Sequence, residues 1–166
     1  MAELTQKERL QPSLLDRLTD DEPQQKQEMR NKRVMSMHKL RKSVLRDISW
    51  LLNTDSLETV MDLTDYPEVA KSVLNYGIKD LAGRAVAGIH SSEIEKGLKQ
   101  AVNVFEPRIL SNTLSVQVFT SETMNQHAMS FDIQASLWAQ PLPLHLYLRT
   151  EINKITGDVS LRDMAG

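Results

Sequence analysis

The sequence contains no cysteine, few aromatic residues and only six glycines and six prolines among 166 residues. Without cysteine, the chain cannot form disulfides, thiolate nucleophiles or cysteine-ligated zinc sites, which fits a reducing compartment. The net charge of −2 gives the whole molecule no electrostatic attraction to nucleic acid or membranes. The first thirty residues lack a signal core, and no run of about 18 apolar residues occurs anywhere. We therefore expect a soluble, cytoplasmic protein.

The motifs of common catalytic sites are also missing or incomplete. Gly83 and Gly88 have the spacing of a phosphate-binding loop, but Ile89 and His90 occupy the positions where Lys and Ser or Thr are required. No G-x-S-x-G or G-x-G-x-x-G motif is present. None of the four histidines stands at metal-ligand spacing from another: His38, His90, His127 and His145. The sequence thus predicts no metal site and no cofactor.

The chain is predicted to consist of an N-terminal arm, residues 1–23, and an α+β domain, residues 24–166. Within the arm, Leu14, Leu15 and Leu18 lie at helical spacing. So short an apolar stripe cannot stabilise itself in water. It must dock either on the rest of the chain or on a partner, and the sequence leaves both possibilities open.

A long amphipathic helix is predicted from Gln24 to about Asn53. Lysines and arginines concentrate from Gln24 to Arg46, whereas Asp47 to Glu68 contains acids and no bases. This asymmetry indicates either two solvated faces or a surface that steers a partner. No aromatic residues interleave with the basic charges, as a single-strand nucleic-acid platform would require. The apolar stripe of the helix comprises Val34, Met37, Leu40, Val44, Leu45, Ile48, Leu51 and Leu52.

Two further helices are predicted before the strands. Pro67 starts a two-turn helix that ends at Gly77 as a left-handed cap. The stretch between Gly77 and Ser92 is predicted to be a loop with at most a short helix. Ser92 and Glu95 have the spacing of a capping box that opens the next helix, which must end near Phe105. The apolar stripe of this last helix comprises Ile94, Leu98, Ala101, Val102 and Phe105.

After Pro107 the apolar period changes to two residues, which predicts strands with one polar face. Three long strands and one short strand form an antiparallel meander, and the helices must cover its apolar face. The expected class is α+β, with N-terminal helices packed on one face of a small antiparallel sheet. The predicted strands cover residues 113–119, 129–137, 144–152 and 158–162.

Glu106-Pro107-Arg108 can be interpreted as a helix stop, as part of an acid/base pair or as a partner-binding motif. Pro107 ends the helix because it lacks an N–H and clashes with the preceding turn. A general acid needs an apolar pocket to raise its pKa, whereas the charge of Arg108 would lower the pKa of Glu106. The triplet therefore suits binding better than catalysis.

The backbone of the triplet is expected to be extended. Glu106 and Arg108 would then project to the same side, about 6.6 Å apart along the chain, poorly placed to satisfy only each other. Pro107 would keep the backbone between them stiff, so that little entropy is lost when a partner docks. The simpler alternative is that Arg108 complements the helix C terminus while Glu106 lies in water.

Four stretches in this order resemble the TssE family of small baseplate subunits of bacterial type VI secretion systems: "SLLDRLTDDEP", "LRKSVLRDISWLLNT", "YPEVAKSVLNYGIKDLAG" and "FEPRI". That family is similar to the short wedge proteins of contractile phage tail baseplates. The resemblance covers roughly residues 13 to 162.

The resemblance implies a structural, non-enzymatic subunit that links the wedge core to the contractile sheath. Implied partners are the baseplate proteins TssF, TssG and TssK and the sheath proteins TssB and TssC, with no nucleic acid, membrane or small-molecule substrate. The family's motif maps onto Glu106, Pro107 and Arg108, which would contact the helical core of the wedge. Leu14, Leu15 and Leu18 correspond to a second docking element, and an open sheet edge, 158–162 or 113–119, is expected to accept a sheath strand.

The alternative function is a cell-wall glycosidase that uses Glu106 as its general acid, because the family has carried a lysozyme-like label. The phage-lysozyme spacing of Glu, Asp and Thr follows none of the glutamates in this sequence. A muramidase activity is therefore not expected.

Overall fold

A computed structural model describes residues 13–19, 24, 36–79, 91–119, 128–139, 143–153 and 156–164. Helices come first and a four-stranded antiparallel sheet follows, which confirms the predicted α+β class. The helices are α1 (Leu14–Leu18), α2 (Met37–Leu52), α3 (Pro67–Ala70) and α4 (Ser91–Phe105). The strands are β1 (Ser115–Phe119), β2 (Ala128–Leu137), β3 (Leu144–Asn153) and β4 (Val159–Asp163). Within these described ranges, three 3₁₀ turns span Leu57–Thr59, Val73–Asn75 and Ser111–Thr113.

The sheet is a meander in the order β1-β2-β3-β4, as predicted from the alternating pattern. β2 and β3 each have ten residues, whereas β1 and β4 each have five. Two strands are therefore long, and the expectation of three was wrong. Ile133 lies opposite Leu148 in the register of β2 and β3, so their side chains share the apolar face.

The helices α2 and α4 cover the apolar face of the sheet and form a single core with it. Val44 and Ile48 of α2 and Val102 of α4 are fully buried, as is Phe131 at the centre of the sheet. Burial of a side chain of this size contributes about 1.5–3 kcal/mol. The apolar stripes predicted for the two helices are thus the surfaces that attach them to the sheet.

The long helix begins later than predicted. Ser36 has an extended backbone, and its side chain accepts a hydrogen bond from the N–H of Lys39, so that it caps α2 at Met37. A continuous helix from Gln24 is therefore wrong at this point. Residues 25–35, including Val34, lie outside the described residues.

The predicted capping box at the start of α4 does not form. Ser92 lies inside the helix, which already includes Ser91. The carboxylate of Glu95 instead accepts a hydrogen bond from the N–H of Val118 at 2.9 Å, and so ties α4 to the outer edge of β1. The spacing was compatible with a cap, but the sheet edge offered the same carboxylate another donor.

The predicted two-turn helix is divided into α3 and the 3₁₀ turn Val73–Asn75. Gly77 has a φ of 128°, and a Cβ there would lie 2.3 Å from the carbonyl oxygen of Thr54. Ile78 next to it exchanges two hydrogen bonds of 2.9 Å with the backbone of Thr54 and Ser56. This close approach of two backbones is what requires glycine, rather than a left-handed helix cap. The loop predicted to follow lies almost entirely outside the described residues.

One outer position of β4 is already occupied. The side-chain amide of Asn53 donates to the carbonyl of Val159 at 3.0 Å and accepts from its N–H at 2.9 Å. Alternate residues of an edge strand point their backbone groups the same way, so Leu161 also presents its N–H and carbonyl outward. Next to it, Arg41 of α2 donates two hydrogen bonds of 2.5 Å to the carboxylate of Asp163.

Candidate partner-binding site

The Glu106-Pro107-Arg108 triplet forms a tight turn after α4. The helix ends at Phe105, as predicted. The N–H of Ile109 then donates to the carbonyl of Glu106 at 3.1 Å, which places Pro107 at the second position of a β-turn. Proline favours this position because its ring fixes φ near the value that the turn needs. The expectation of an extended backbone was therefore wrong.

The turn allows the two charged side chains of the triplet to pair with each other. Arg108 donates from Nε to Oε1 of Glu106 at 2.6 Å and from Nη2 to Oε2 at 2.5 Å. Glu106 is only 3% exposed. The expectation that the pair would be poorly placed to satisfy itself is thus wrong, and the simpler alternative, in which Glu106 lies in water, is excluded. The turn, unlike a strand, curls the two side chains towards each other.

Helix α2 supplies the remaining partners of the Arg108 guanidinium. Nη2 also donates to Oδ2 of Asp47 at 2.5 Å, and Nη1 donates to Oγ of Ser43 at 3.1 Å. Burial alone would lower the pKa of Arg108, but the hydrogen bonds and charges of Glu106 and Asp47 raise it well above its ordinary value. Arg108 is therefore a permanent cation that joins α2 to the end of α4, and Glu106 acts only as a hydrogen-bond acceptor.

A chain of alternating charges continues from this turn to the N-terminal arm. Arg46 donates from Nε to Asp47 at 2.8 Å and from Nη1 to Asp16 of α1 at 2.9 Å. Ser13 caps α1, and its hydroxyl donates to Asp16 at 2.6 Å. Burial raises the pKa of Asp16, but the hydrogen bonds from Ser13 and Arg46 outweigh this and lower it overall. The arm helix is thus held on the body of the protein by charge.

An apolar groove of about 540 Å³ lies beside this charge chain. Its lining includes Leu14, Leu15, Trp50, Leu51, Tyr76, Phe105 and Pro107. Tyr76 packs edge-on against Phe105, with ring centroids 5.3 Å apart, and Arg46 stacks 5.2 Å from the ring of Trp50. The structure therefore brings Leu14 and Leu15 of the predicted leucine motif to the same groove as the predicted triplet, and Leu18 does not line it. Leu18 of the same motif is largely exposed.

Sequence reasoning missed Asp47, Trp50 and Tyr76 at this site. The sequence did contain a signal for Trp50, because this residue lies off the predicted apolar stripe of α2. In the structure, 51% of its surface is exposed. A large aromatic residue on the polar face of a helix indicates a surface that something else can cover. Asp47 gave no such signal, because its partner Arg108 lies 61 residues away along the chain.

A second arginine–carboxylate cluster lies on the polar face of the sheet. Arg149 donates to both oxygens of Asp132, at 3.1 and 3.2 Å, and the hydroxyl of Tyr147 donates to Oδ2 at 2.7 Å. Hydrogen bonding to Arg149 is the main reason that the pKa of Asp132 is lowered, and Tyr147 contributes to the same shift. None of these three residues lines the groove beside the triplet.

Neither metal chemistry nor membrane insertion gains support from the described residues. Among them, no three His, Asp or Glu side chains are grouped closely enough to hold a metal ion. None of the helices within the described ranges combines the length and apolar character needed to cross a bilayer.

Comparison with known proteins identifies the family. Residues 38–142 match the family described as baseplate wedge protein gp25, and this range contains α2 except for Met37, together with α4, the triplet, β1 and β2. Neither the curated proteins nor the solved structures gave a match. The matched range covers more than half of the chain and includes most of the groove, and the family is the one to which TssE proteins belong. The chain therefore belongs to the baseplate wedge protein gp25 family of phage-tail-like baseplates.

Proposed function

We propose that this chain is a structural wedge subunit of a type VI secretion baseplate, without enzymatic activity. It bridges a wedge core of TssF and TssG to the first ring of the TssB–TssC sheath, within a baseplate that also contains TssK. Membership of a baseplate wedge family supports the general role. The specific proposal rests on one observation: residues of α1 and residues of the triplet line the same groove.

The groove has the composition of a protein-docking site. Trp50 and Tyr76 are the kinds of side chain that dominate binding energy at interfaces. Trp50 and Pro107 are exposed, while the ions beneath them are held by several hydrogen bonds each. A partner would therefore meet a pre-formed surface and lose little conformational entropy on binding.

In this proposal, one residue of the triplet contacts the partner and the other two hold it in position. Pro107 touches the partner directly from the exposed corner of the turn. Glu106 and Arg108 hold that corner in place through their mutual pair and through Asp47. Leu14 and Leu15 of α1 complete the wall of the groove. The wedge core then covers the arm and the triplet together.

The two tryptophans of the chain provide a matched test. Trp50 is 51% exposed inside the groove, whereas Trp138, just after β2, is 46% exposed and its side chain does not line the groove, although its backbone N–H donates to the carbonyl of Arg108. Trp50→Ala is expected to weaken binding to a purified TssF–TssG complex by about 30-fold, as loss of a 2 kcal/mol hot spot would. Trp138→Ala is expected to leave binding unchanged. Titration by calorimetry measures both, with circular-dichroism melts to confirm folding.

Equal affinities of the two tryptophan variants would contradict the assignment of the groove. Loss of binding in Trp138→Ala alone would place the interface at Trp138, beside the triplet, and not in the groove. In either case the family assignment would stand, and only the location of the contact would change.

For the sheath contact, we propose strand addition at the outer edge of β4. Leu161 presents its N–H and carbonyl to that side, and the Asn53 amide that covers Val159 is a neutral group that a strand can displace. β1 is the other candidate, although the charged Glu95 holds its Val118 N–H. A cryo-EM map of the wedge with a sheath ring attached tests this: density for an added strand on β4 is expected, and a bare β4 edge would contradict the proposal.

The geometry does not favour the glycosidase alternative. Both oxygens of Glu106 accept hydrogen bonds from the Arg108 guanidinium, whereas a general acid must carry a proton towards a substrate. We therefore expect no release of muropeptides from purified peptidoglycan. Release that Glu106→Gln abolishes in a folded protein would overturn the structural role.

A further inference from the structure

A second exposed apolar surface lies on the segment between α2 and α4, outside the groove. It comprises Val60, Met61, Tyr66, Val73 and Leu74, and we call these five residues the turn surface. Val60 is 84% exposed and Val73 82% exposed, which is more than any leucine of the arm helix. Val60 and Met61 follow the first of two 3₁₀ turns that contact each other, Val73 and Leu74 belong to the second, and Tyr66 is the N-cap of α3. Monomeric proteins rarely leave large apolar side chains grouped in this way unless a partner covers them.

The backbone beneath the turn surface is held in place by a buried side chain. Asn75 accepts a hydrogen bond from the N–H of Glu58 at 2.9 Å and donates one to the carbonyl of Ala70 at 3.0 Å. It thereby ties both 3₁₀ turns to α3. Leu63 anchors the same segment in the interior. The apolar side chains are thus presented by a fixed scaffold and not by a frayed loop.

Acidic residues lie between the residues of the turn surface along the chain, and we call them its rim. Five carboxylates and one amine, Lys71, lie between residues 55 and 75: Asp55, Glu58, Asp62, Asp65 and Glu68. Glu58 pairs with Lys79 at 2.9 Å. Asp62 accepts hydrogen bonds from the hydroxyl and N–H of Thr64, which lower its pKa and keep it ionised. Asp65 and Glu68 are exposed. Such a rim repels anionic lipid and nucleic acid and attracts a basic partner.

We propose that the turn surface is a second protein-docking site, and that its occupant is an amphipathic helix with Lys or Arg beside its apolar face. The apolar side chains supply affinity by leaving water. The carboxylates supply orientation and a faster association rate, as charged rims do at other interfaces. This site is separate from the groove and goes beyond the proposed contact with the wedge core. The affinity of this site for such a helix is expected to fall as the salt concentration rises.

The experiment uses two designed peptides of about 18 residues with identical leucine faces. One carries lysines on its polar face, and the other carries glutamates. The peptides are titrated into the ¹⁵N-labelled full chain and followed by NMR. The lysine peptide is expected to shift the amide signals of residues 58–76. The glutamate peptide is expected to bind at least tenfold more weakly.

A double variant tests the apolar part of the site. Val73→Ser with Leu74→Ser is expected to weaken the lysine peptide at least tenfold, and both positions are exposed, so the fold should be retained. Met164→Ser, an exposed methionine just beyond β4, is the matched control and should change nothing. Peptide shifts that map to the groove around Trp50, or equal binding by the two variants, would overturn the proposal.

A charge variant tests the rim. Neutralising Asp62, Asp65 and Glu68 together, as D62N, D65N and E68Q, is expected to weaken the lysine peptide several-fold at low salt and to flatten its salt dependence. An unchanged salt dependence would overturn the role of the rim. The tryptophan variants report on the groove independently, so that failure at one site is distinguishable from failure at the other.

Discussion

Two of the arginine–carboxylate clusters among the described residues, those of Glu106 and of Asp132, are built from the same groups but have different roles. In each, the carboxylate is almost fully buried, and one arginine donates hydrogen bonds to both of its oxygens. Asp132 and Arg149 face each other directly across β2 and β3, so their pairing follows from the strand register. The cluster of Glu106, Arg108 and Asp47 instead joins a turn to a distant helix.

The difference between the clusters shows which feature marks a binding site. The Arg108 side chain is 22% exposed, and that of Arg149 is 48% exposed. The more buried cluster lies beside an apolar groove, whereas Arg149 stands on the polar face of the sheet. A buried ion pair is therefore weak evidence of function. The evidence at the triplet comes from the apolar surface that the ions hold in position.

Removing each arginine should produce the largest effect and separate the two clusters. Arg108→Ala leaves Glu106 buried without its guanidinium, which is expected to cost about 3–5 kcal/mol in the free energy of unfolding. Arg149→Ala should cost clearly less, because its loss opens Asp132 to water. Urea denaturation measures the free energy of unfolding of both variants. Equal losses of stability would show that the two clusters do not differ in their contribution.

Charge reversal within the triplet does not by itself test partner binding. Reversal of Glu106 or Arg108 places like charges together in a buried site and is expected to destabilise the domain itself. Loss of assembly in such a variant therefore identifies a partner contact only if the variant has the melting temperature of the wild type. The exposed Trp50 and Pro107 are better probes of binding.

Acid should abolish the contribution of the sheet cluster. Because the folded-state pKa of Asp132 is lowered, its stabilisation is fully present above the unfolded pKa of about 3.9 and disappears as the pH falls through the lower folded value. Asp132→Asn should thus lower the melting temperature by a few degrees at neutral pH and have little effect in strong acid. A difference that persists in acid would show that hydrogen bonding, and not charge, is responsible.

The smallest effect is expected where the arm meets the body. Asp16→Asn weakens the bridge to Arg46, which should cost below about 1 kcal/mol because the pair is partly exposed. The melting temperature should barely change, while amide exchange of α1 should accelerate. The wild-type arm should likewise loosen in acid, as the pH falls through the lowered pKa of Asp16. Unchanged exchange in the variant would mean that the leucines alone hold the arm.

The fold was largely predictable because its signals are local and repeated. The alternation along β2 and β3 and the stripes of α2 and α4 repeat the same information over many residues, and the structure places them as predicted. The ends of the helices and their capping residues were predicted less accurately. The helix capped by Ser36 begins later than predicted, and Glu95 accepts a hydrogen bond from β1 instead of capping α4, because such groups have several partners of similar energy within reach.

The sequence by itself determined the α+β class, the meander, the end of α4 before Pro107 and, through four short stretches, the family. Only the tertiary structure decided that Glu106 and Arg108 face inward to each other, that Asp47 completes their cluster, and that the arm meets Trp50 at one groove. Periodic patterns report which side of an element is buried, and they do so residue by residue. The partner of a buried charge depends on which distant elements the core brings together, and no local pattern carries that information.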